Sequence, residues 1–452
     1  MKKKIVIIGG GPSGVTAAIT ARRYYPDAEI TLIRKEEKAL VPCGIPYIFG
    51  TLESAEKNLI PDQLLKNNNI NLVIDEASSV DRESKTVTTV DTGHYYYNKL
   101  ILAIGSSPLI PSIPGVDLNN VYAVRKDLEY LKDLSKKLNE SKDVVIIGGG
   151  FIGLEFADEF MKRGNVNVTI IELLPHCLLL VCDEDICRRV ENKLEERGIN
   201  IMVGKKAEAL LGEDQVESIQ LESDEKIKAD TVILGIGVKP NVQLALDCGL
   251  KADEKEGIEV DDFMRTSDEN IFAIGDCAKK RCYLSGLPKG VWLASMGTTE
   301  ARIAGANLFN VRRRTDCAIG IFSTCFGDLA VGSAGLTESA AREMGMDVVT
   351  GEASAPDKHP GSIPGARELR IKLIFERDTG LLVGGQIYGG LSVGEKINFI
   401  GALIQHKMRA DEVCTFQMGT HPLLTASPIA YQLSNAAQLA TIKLQKRKPA
   451  SD

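Results

Sequence analysis

The succession strand, glycine turn, helix, strand occurs twice in this chain, and that repeat limits the fold more than any other feature. Residues 4–8, Lys-Ile-Val-Ile-Ile, form a short apolar run of strand type, followed at once by Gly9-Gly10-Gly11-Pro12-Ser13-Gly14 and the helical stretch Val15–Tyr25. In that setting G-x-G-x-x-G is a dinucleotide-binding signature. Gly9, Gly11 and Gly14, with Pro12 and Ser13 between them, let the backbone approach a pyrophosphate that the helix N-terminus attracts. The second copy runs from strand Asp143–Ile147 through Gly148-Gly149-Gly150-Phe151-Ile152-Gly153 into a helix over Leu154–Arg163. A repeated unit of this kind is far harder to reach by chance than a single one.

The two copies differ at the end of their second strands. In the later copy, strand Val168–Glu172 ends in an acid followed by neutral Leu173 and Leu174. A carboxylate there accepts hydrogen bonds from a ribose 2′-hydroxyl and repels a 2′-phosphate, so this copy favours NADH over NADPH. In the earlier copy, strand Glu29–Ile33 is followed by Arg34, Lys35, Glu36 and Glu37, with Arg34 where the acid belongs. Either Glu36 substitutes, or Arg34 contributes its stem or reaches a phosphate.

After that second strand comes Leu40-Val41-Pro42-Cys43-Gly44-Ile45-Pro46-Tyr47. A loop at this point lies on the crevice side of an open α/β sheet, where ligands bind. Gly44, Pro42 and Pro46 make a tight, stiff backbone around the sulfur. The alternative is a small buried hydrophobe, the commoner fate of a cysteine. The chain has 10 cysteines but no C-x-x-C and no pair beside histidines at zinc-ligand spacing, so no metal site is expected. The nine others read as structural thiols of a reducing cytosol.

At 452 residues the chain calls for about two to four domains. A formal charge of −7 gives no support for nucleic-acid binding. Met1-Lys2-Lys3-Lys4 precedes an apolar run too short for a signal peptide, and no run reaches a membrane-spanning length, so a cytoplasmic protein is expected. Between the two nucleotide units, Lys85–Val90 and Tyr95–Tyr97 alternate like a small antiparallel sheet. Lys99–Ile104 is a strand that stops at Gly105, and Pro111, Pro114 and Gly115 read as a linker. Further on, Thr231–Asn241 is a strand that closes on glycines and ends in Lys239-Pro240-Asn241, and Asn270–Asp276 ends with Asp276 beside Gly275, placed to bind a polyol hydroxyl or to cap a helix. From Cys317 to Cys414 short alternating segments suggest an α+β domain with helices at Val393–Gln405 and Ile429–Leu444, before a polar tail from Gln445 to Asp452.

Two such units, a strand ending Ala103-Ile104-Gly105, and Ile271-Phe272-Ala273-Ile274-Gly275-Asp276 together resemble the FAD-dependent pyridine nucleotide-disulfide oxidoreductases across essentially the whole chain. That resemblance implies an α/β fold with two Rossmann-like dinucleotide-binding domains and a C-terminal α+β dimerisation domain. It implies FAD in 1–115 and 245–320, NADH in 116–244, and a homodimer formed through 321–452. It puts Asp276 on the ribitol, Phe151 as an aromatic gate over the flavin, and Glu155 as an acid near flavin and nicotinamide. Further cofactor contacts fall on Lys35, Ala77, Gly237 and Ala294.

The single cysteine in Pro42-Cys43-Gly44-Ile45-Pro46-Tyr47 resembles the branch containing coenzyme A-disulfide reductases, NADH oxidases, NADH peroxidases and persulfide or polysulfide reductases. Arg22 matches a position that contacts coenzyme A phosphates there, or is a surface charge. Pro12 stands where the peroxidases carry a histidine. Ile363-Pro364-Gly365 and His421-Pro422-Leu423-Leu424 replace two tyrosine segments of the coenzyme A-disulfide reductases. His421-Pro422 is similar to the His-Pro whose imidazole protonates a leaving thiol in the two-cysteine reductases. The expected reaction passes electrons from NADH through FAD to Cys43 and on to a low-molecular-weight disulfide, persulfide or polysulfide such as coenzyme A disulfide. The alternatives are oxygen, reduced through a Cys43 sulfenic acid, and a protein partner that takes electrons from the flavoprotein.

Overall fold

The structure, a computed structural model, describes residues 2–287 and 290–446. Residues 447–452 of the expected polar tail lie outside the described residues. The chain packs as two compact units, one of Met1–Ile147, Lys162–Val166 and Ala207–Ala318, the other of Gly148–Met161, Asn167–Lys206 and Ile319–Asp452. This is a division by packing, whereas the cuts expected at 115/116, 244/245 and 320/321 divide the chain by the nucleotide each part is expected to bind.

The first unit is built on a five-stranded parallel sheet in the spatial order Ile271–Ala273, Lys99–Leu102, Lys4–Ile8, Glu29–Arg34, Asn71–Ile74. Its strands are apolar on both faces because both faces are covered. On one face lie helix Pro12–Tyr24 and helix Ala294–Asn307, packed on each other through Ala17, Ala18, Ala21, Ala301 and Ala304. Small side chains there let two helix backbones approach the sheet and one another. On the other face Val80, Val87 and Tyr97 come from the small antiparallel sheet of Ala77–Asp81, Thr86–Thr89 and His94–Tyr96. Because the five strands run parallel, their C-terminal ends share one edge. The turn Gly9–Gly14, the segment Ala103–Gly105 and the turn Gly275–Asp276 all leave from that edge.

The same unit holds a second parallel set in which Thr231–Leu234 lies between Asp143–Ile147 and Val121–Ala123, beside an antiparallel sheet of Ala207–Leu211, Ser218–Leu221 and Lys226–Lys228.

In the second unit, helix Phe151–Met161 packs on strand Asn167–Ile171, which pairs in parallel with Asn200–Met202. The C-terminal part is a five-stranded antiparallel sheet in the order Ile321–Phe326, Leu329–Gly335, Leu382–Gly389, Glu368–Glu376, Val348–Pro356. Helix Val393–Gln405 has the bounds expected from the sequence. The last helix covers Gln432–Gln445 rather than Ile429–Leu444, because a separate 3-10 turn, Pro428–Ala430, precedes it. The two are separated at Tyr431, whose extended backbone (φ −69°, ψ 113°) interrupts the helical hydrogen bonding.

Asp183 ties this unit together. It is buried, and its carboxylate accepts from Lys372 Nζ at 2.9 Å, from Gln386 Nε2 at 2.6 Å and from the Glu338 and Ser339 backbone N–H groups at 3.2 Å. Burial pushes its pKa up, but the Lys372 ammonium and the two N–H groups outweigh burial and hold the carboxyl below the usual range. Asp183→Ala, which leaves Lys372 short of a partner, is expected to lower stability by about 3–5 kcal/mol in denaturant unfolding at neutral pH. Because the folded value is the lower one, the difference between wild type and variant should persist above about pH 4 and shrink as pH falls further.

Candidate active site

In the first unit the phosphate-binding turn has the geometry its glycines permit. Gly9 donates its N–H to Ile33 O at 2.8 Å with φ +110°, and a Cβ on Gly9 would stand 2.1 Å from Ala103 O. A Cβ on Gly14 would meet Gly9 O at 1.9 Å. Gly11 is the N-cap and Pro12 the first residue of the helix, where proline's missing N–H costs nothing. Gly148 repeats Gly9, donating to Ile171 O at 2.9 Å with φ +112°.

Arg34 sets its stem against the turn and turns its charge inward. It is buried, its guanidinium paired with both oxygens of Asp62 at 2.7 and 2.9 Å and donating to Glu36 O and Glu37 O. Its stem lies under Gly10, whose added Cβ would stand 2.4 Å from Arg34 Cδ. The charge is therefore spent on the chain itself, and the stem is a floor beneath the turn. Lys35 is exposed, 3.9 Å from Glu76; Glu36 is half-buried, and Ala77 opens the strand Ala77–Asp81.

Asp276 sits in the one-turn segment Gly275–Cys277 and accepts from Ser106 Oγ at 2.7 Å and Lys126 Nζ at 3.4 Å. Asn241 staples the neighbouring segment, donating Nδ2 to Ile104 O at 2.8 Å and its N–H to Gly105 O at 3.0 Å while accepting from Ser107 Oγ at 2.7 Å. Gly237 O accepts from Leu109 N at 2.9 Å, and Ala294 is the first residue of its helix.

Cys43 is exposed, in the 3-10 turn Pro42–Gly44 that leads into a second 3-10 turn, Pro46–Phe49. Asn58, itself buried, locks this loop. Its Nδ2 donates to Val41 O at 2.9 Å and its carbonyl accepts Val41 N–H at 2.9 Å. Asn58 Oδ1 would stand 2.0 Å from a Cβ on Gly44, so only glycine admits it. Arg22 is spent: Nε donates to Asn68 O, Nη1 to Pro26 O and Ala28 O, and Nη2 to Asn69 O, all at 2.7–2.9 Å. One guanidinium cross-links the helix end to two loops and is not held out for a phosphate.

In the second unit Glu172 accepts N–H bonds from Gly149 at 2.5 Å and Leu174 at 2.7 Å, so the glycine turn itself orients the carboxylate. Gly150, Phe151, Ile152 and Gly153 carry the chain into the helix, and the Phe151 ring meets Phe322 edge-on, centroids 4.2 Å apart. Glu155, one turn further, accepts from Thr324 Oγ1 at 2.8 Å. Burial pushes its carboxyl up to about 7, against the Thr324 hydrogen bond and with help from the Glu159 charge. Phe322 and Thr324 both lie on Ile321–Phe326, so the C-terminal sheet contributes to this site.

His421 is exposed in the same unit, and its Nδ1 accepts the Leu423 N–H at 3.3 Å, which leaves the hydrogen of the neutral ring on Nε2. Its loop is held by His359, which bonds Thr425 O through Nδ1 at 2.9 Å and Pro422 O through its N–H at 3.0 Å. Cys43 and His421 belong to different units.

Asn58, Asp62, Ser106, Lys126, Asn241, Thr324, Phe322 and His359 carry no motif. Pro240-Asn241 at a strand end was the only one with a local cue.

These arrangements fit a flavin and a nicotinamide nucleotide: glycine turns at two helix N-termini, the carboxylates of Asp276 and Glu172 beside strand ends, and a thiol on a rigid loop. The chain matches the model of the pyridine nucleotide-disulphide oxidoreductases over residues 3–300 and that of their dimerisation domain over 321–429. It is 33% identical to an NADH oxidase of Methanocaldococcus jannaschii, over 98% of this chain and 100% of that protein. It is 36% identical to a CoA-dependent NAD(P)H sulfur oxidoreductase of Pyrococcus furiosus, over 86% of this chain and 88% of that one. The solved NAD-dependent persulfide reductase from A. fulgidus superposes with a TM-score of 0.90 at 30% identity, covering 97% of this chain and 83% of that one. Among the described residues no helix is long and apolar enough to cross a membrane. The chain therefore belongs to the pyridine nucleotide-disulphide oxidoreductase family, FAD-dependent oxidoreductases that draw their electrons from NAD(P)H.

Proposed function

We propose that this enzyme uses NADH to reduce a low-molecular-weight disulfide, persulfide or polysulfide, coenzyme A-linked substrates among them, through the single sulfur of Cys43. One observation carries the reading: Cys43 is an exposed thiol on a loop that Asn58 and Gly44 hold rigid. The relatives named sulfur and persulfide reductases support it.

Residues 1–115 and 245–320 hold FAD, with the turn Gly9–Gly14 on the pyrophosphate and Asp276 on the polyol. Residues 116–244 hold NADH; Glu172, oriented by the Gly149 and Leu174 N–H groups, accepts from the ribose hydroxyls and repels a 2′-phosphate. Phe151 covers the nicotinamide side, and residues 321–452 form the homodimer. Bound FAD supplies the transfer of two electrons from NADH to the cysteine sulfur.

The thiolate of Cys43 attacks one sulfur of the substrate S–S bond, that bond breaks, and a mixed disulfide with Cys43 forms. The departing thiolate takes a proton from the protonated ring of His421, supplied by the partner subunit's copy of this loop, and that ring returns to the neutral imidazole. Two electrons from NADH then cleave the mixed disulfide, which releases the second thiol and restores the Cys43 thiolate. Glu155, protonated below about pH 7, stands by the nicotinamide as the group that can hold or yield a proton there.

A second reading, oxygen as acceptor with Cys43 cycling through sulfenic acid, is favoured by the relative named an NADH oxidase, which matches along its whole length. Donation to a protein partner, the third possibility, leaves Cys43 without a role.

Cys43→Ser should keep bound FAD and dye reduction by NADH yet lose NADH consumption with coenzyme A disulfide or polysulfide by roughly a thousandfold or more. Unchanged consumption would reject the reading, and oxygen uptake faster than any sulfur turnover would favour the oxidase. His421→Gln should slow the sulfur reaction by about a hundredfold. The rate of flavin reduction by NADH should show an inflection near pH 7 from Glu155. Thr324→Val, which removes a donor to the charged form, should move that inflection upward by about one pH unit, and an inflection that stays put would remove Glu155 from the step.

A further inference from the structure

One buried ion pair stands outside the chemistry described so far. Lys280 and Glu300 are 3% and 2% exposed, with Nζ to Oε2 at 2.9 Å, and they sit directly behind the turn that carries Asp276. Glu300 Oε2 accepts the Gly275 N–H at 2.8 Å. Lys280 Nζ donates to Gly275 O at 2.5 Å and to Ala278 O at 2.9 Å. Both backbone polar groups of a single glycine, on the peptides either side of its Cα, are thus claimed by the two charges.

Gly275 is also the tightest point between three distant segments. Its φ is +73°, and a Cβ on it would lie 2.7 Å from Ser13 Oγ, in the first phosphate-binding turn. A Cβ on Gly297, one turn into the helix that carries Glu300, would lie 2.3 Å from the same Ser13 Oγ. A shift of Gly275 by a fraction of an ångström therefore reaches Asp276 on one side and Ser13 on the other.

Stability alone does not ask for charges here. Taking both ions out of water costs several kcal/mol, and apolar side chains of similar volume often serve as well. What apolar side chains cannot do is hold the N–H and the C=O of one residue at fixed positions. We propose that Lys280 and Glu300 are positioning residues of the flavin site: together they clamp the Gly275 peptide so that Asp276 and the Gly9–Gly14 turn are in register for the polyol and pyrophosphate of FAD. The proposal rests on the flavin assignment above.

The test is FAD binding by the full-length apoprotein, followed by quenching of flavin fluorescence, together with thermal unfolding of the same apoprotein and the visible spectrum of the refilled protein. Single substitutions would strand a buried charge, so paired ones are used. Lys280→Met with Glu300→Leu removes both hydrogen-bonded holds on Gly275 and should raise the FAD dissociation constant by roughly tenfold or more. Lys280→Met with Glu300→Gln keeps an amide oxygen for the Gly275 N–H and should recover part of that loss, with a flavin absorption band nearer the wild-type one. Apoprotein melting should be alike in the two. FAD binding equal to wild type in both pairs would overturn the proposal, as would a loss of binding that follows apoprotein melting in step. Wild-type apoprotein that takes up no FAD would instead sink the flavin assignment itself.

Discussion

Everything at this site depends on backbone touching backbone where the parallel strands end. At Gly9 and Gly148 the chain leaves a strand, bonds its N–H back to the neighbouring strand at 2.8 and 2.9 Å, and turns with φ above +100° into a helix. No side chain fits between the first turn and Ala103 O. The helix N-terminus is thereby brought to the sheet edge with its N–H groups facing outward, which is the condition for holding a pyrophosphate by dipole and hydrogen bond rather than by cationic side chains. Once that is arranged, nearby cationic groups are released for other uses. Arg34 braces the loop through Asp62, and Lys280 braces Gly275.

The order of elements was legible because each rests on a local rule. Apolar runs with no polar alternation mark strands covered on both faces, and glycines at fixed intervals mark the turns; the strands Lys4–Ile8 and Asp143–Ile147 and the helix Val393–Gln405 have the bounds read from sequence. Helix starts were read late: at Val15 rather than Pro12, and at Leu154 rather than Phe151, because the helix begins inside the glycine motif. Proline and glycine look like breakers there but are acceptable at the first turn, where their N–H groups would have no helical partner.

Side-chain roles were legible only where the partner was near in sequence. Glu172 could be read from its strand end, and its anchor is the glycine turn of the same unit. Asn58 with Gly44, Thr324 with Glu155, and Glu300 with Lys280 could not, since each pair closes only after the sheets are stacked. Arginine was the least legible type. Arg22 and Arg34 occupy positions that suggest phosphate or ribose contacts, yet four carbonyls hold the first and a carboxylate with two carbonyls holds the second. A guanidinium carries five donors, and when loop carbonyls surround it, internal bonds use them before a ligand arrives.

The exhaustion of Arg22 bears on what this enzyme selects. With that guanidinium knitted into its own helix end, a nucleotide-tailed thiol gains no anchorage from it, and a short inorganic sulfane loses nothing by lacking a tail. If Cys43 is the reacting sulfur, discrimination among acceptors falls to the few ångströms around it, where chain length and leaving-group acidity count for more than the rest of the molecule.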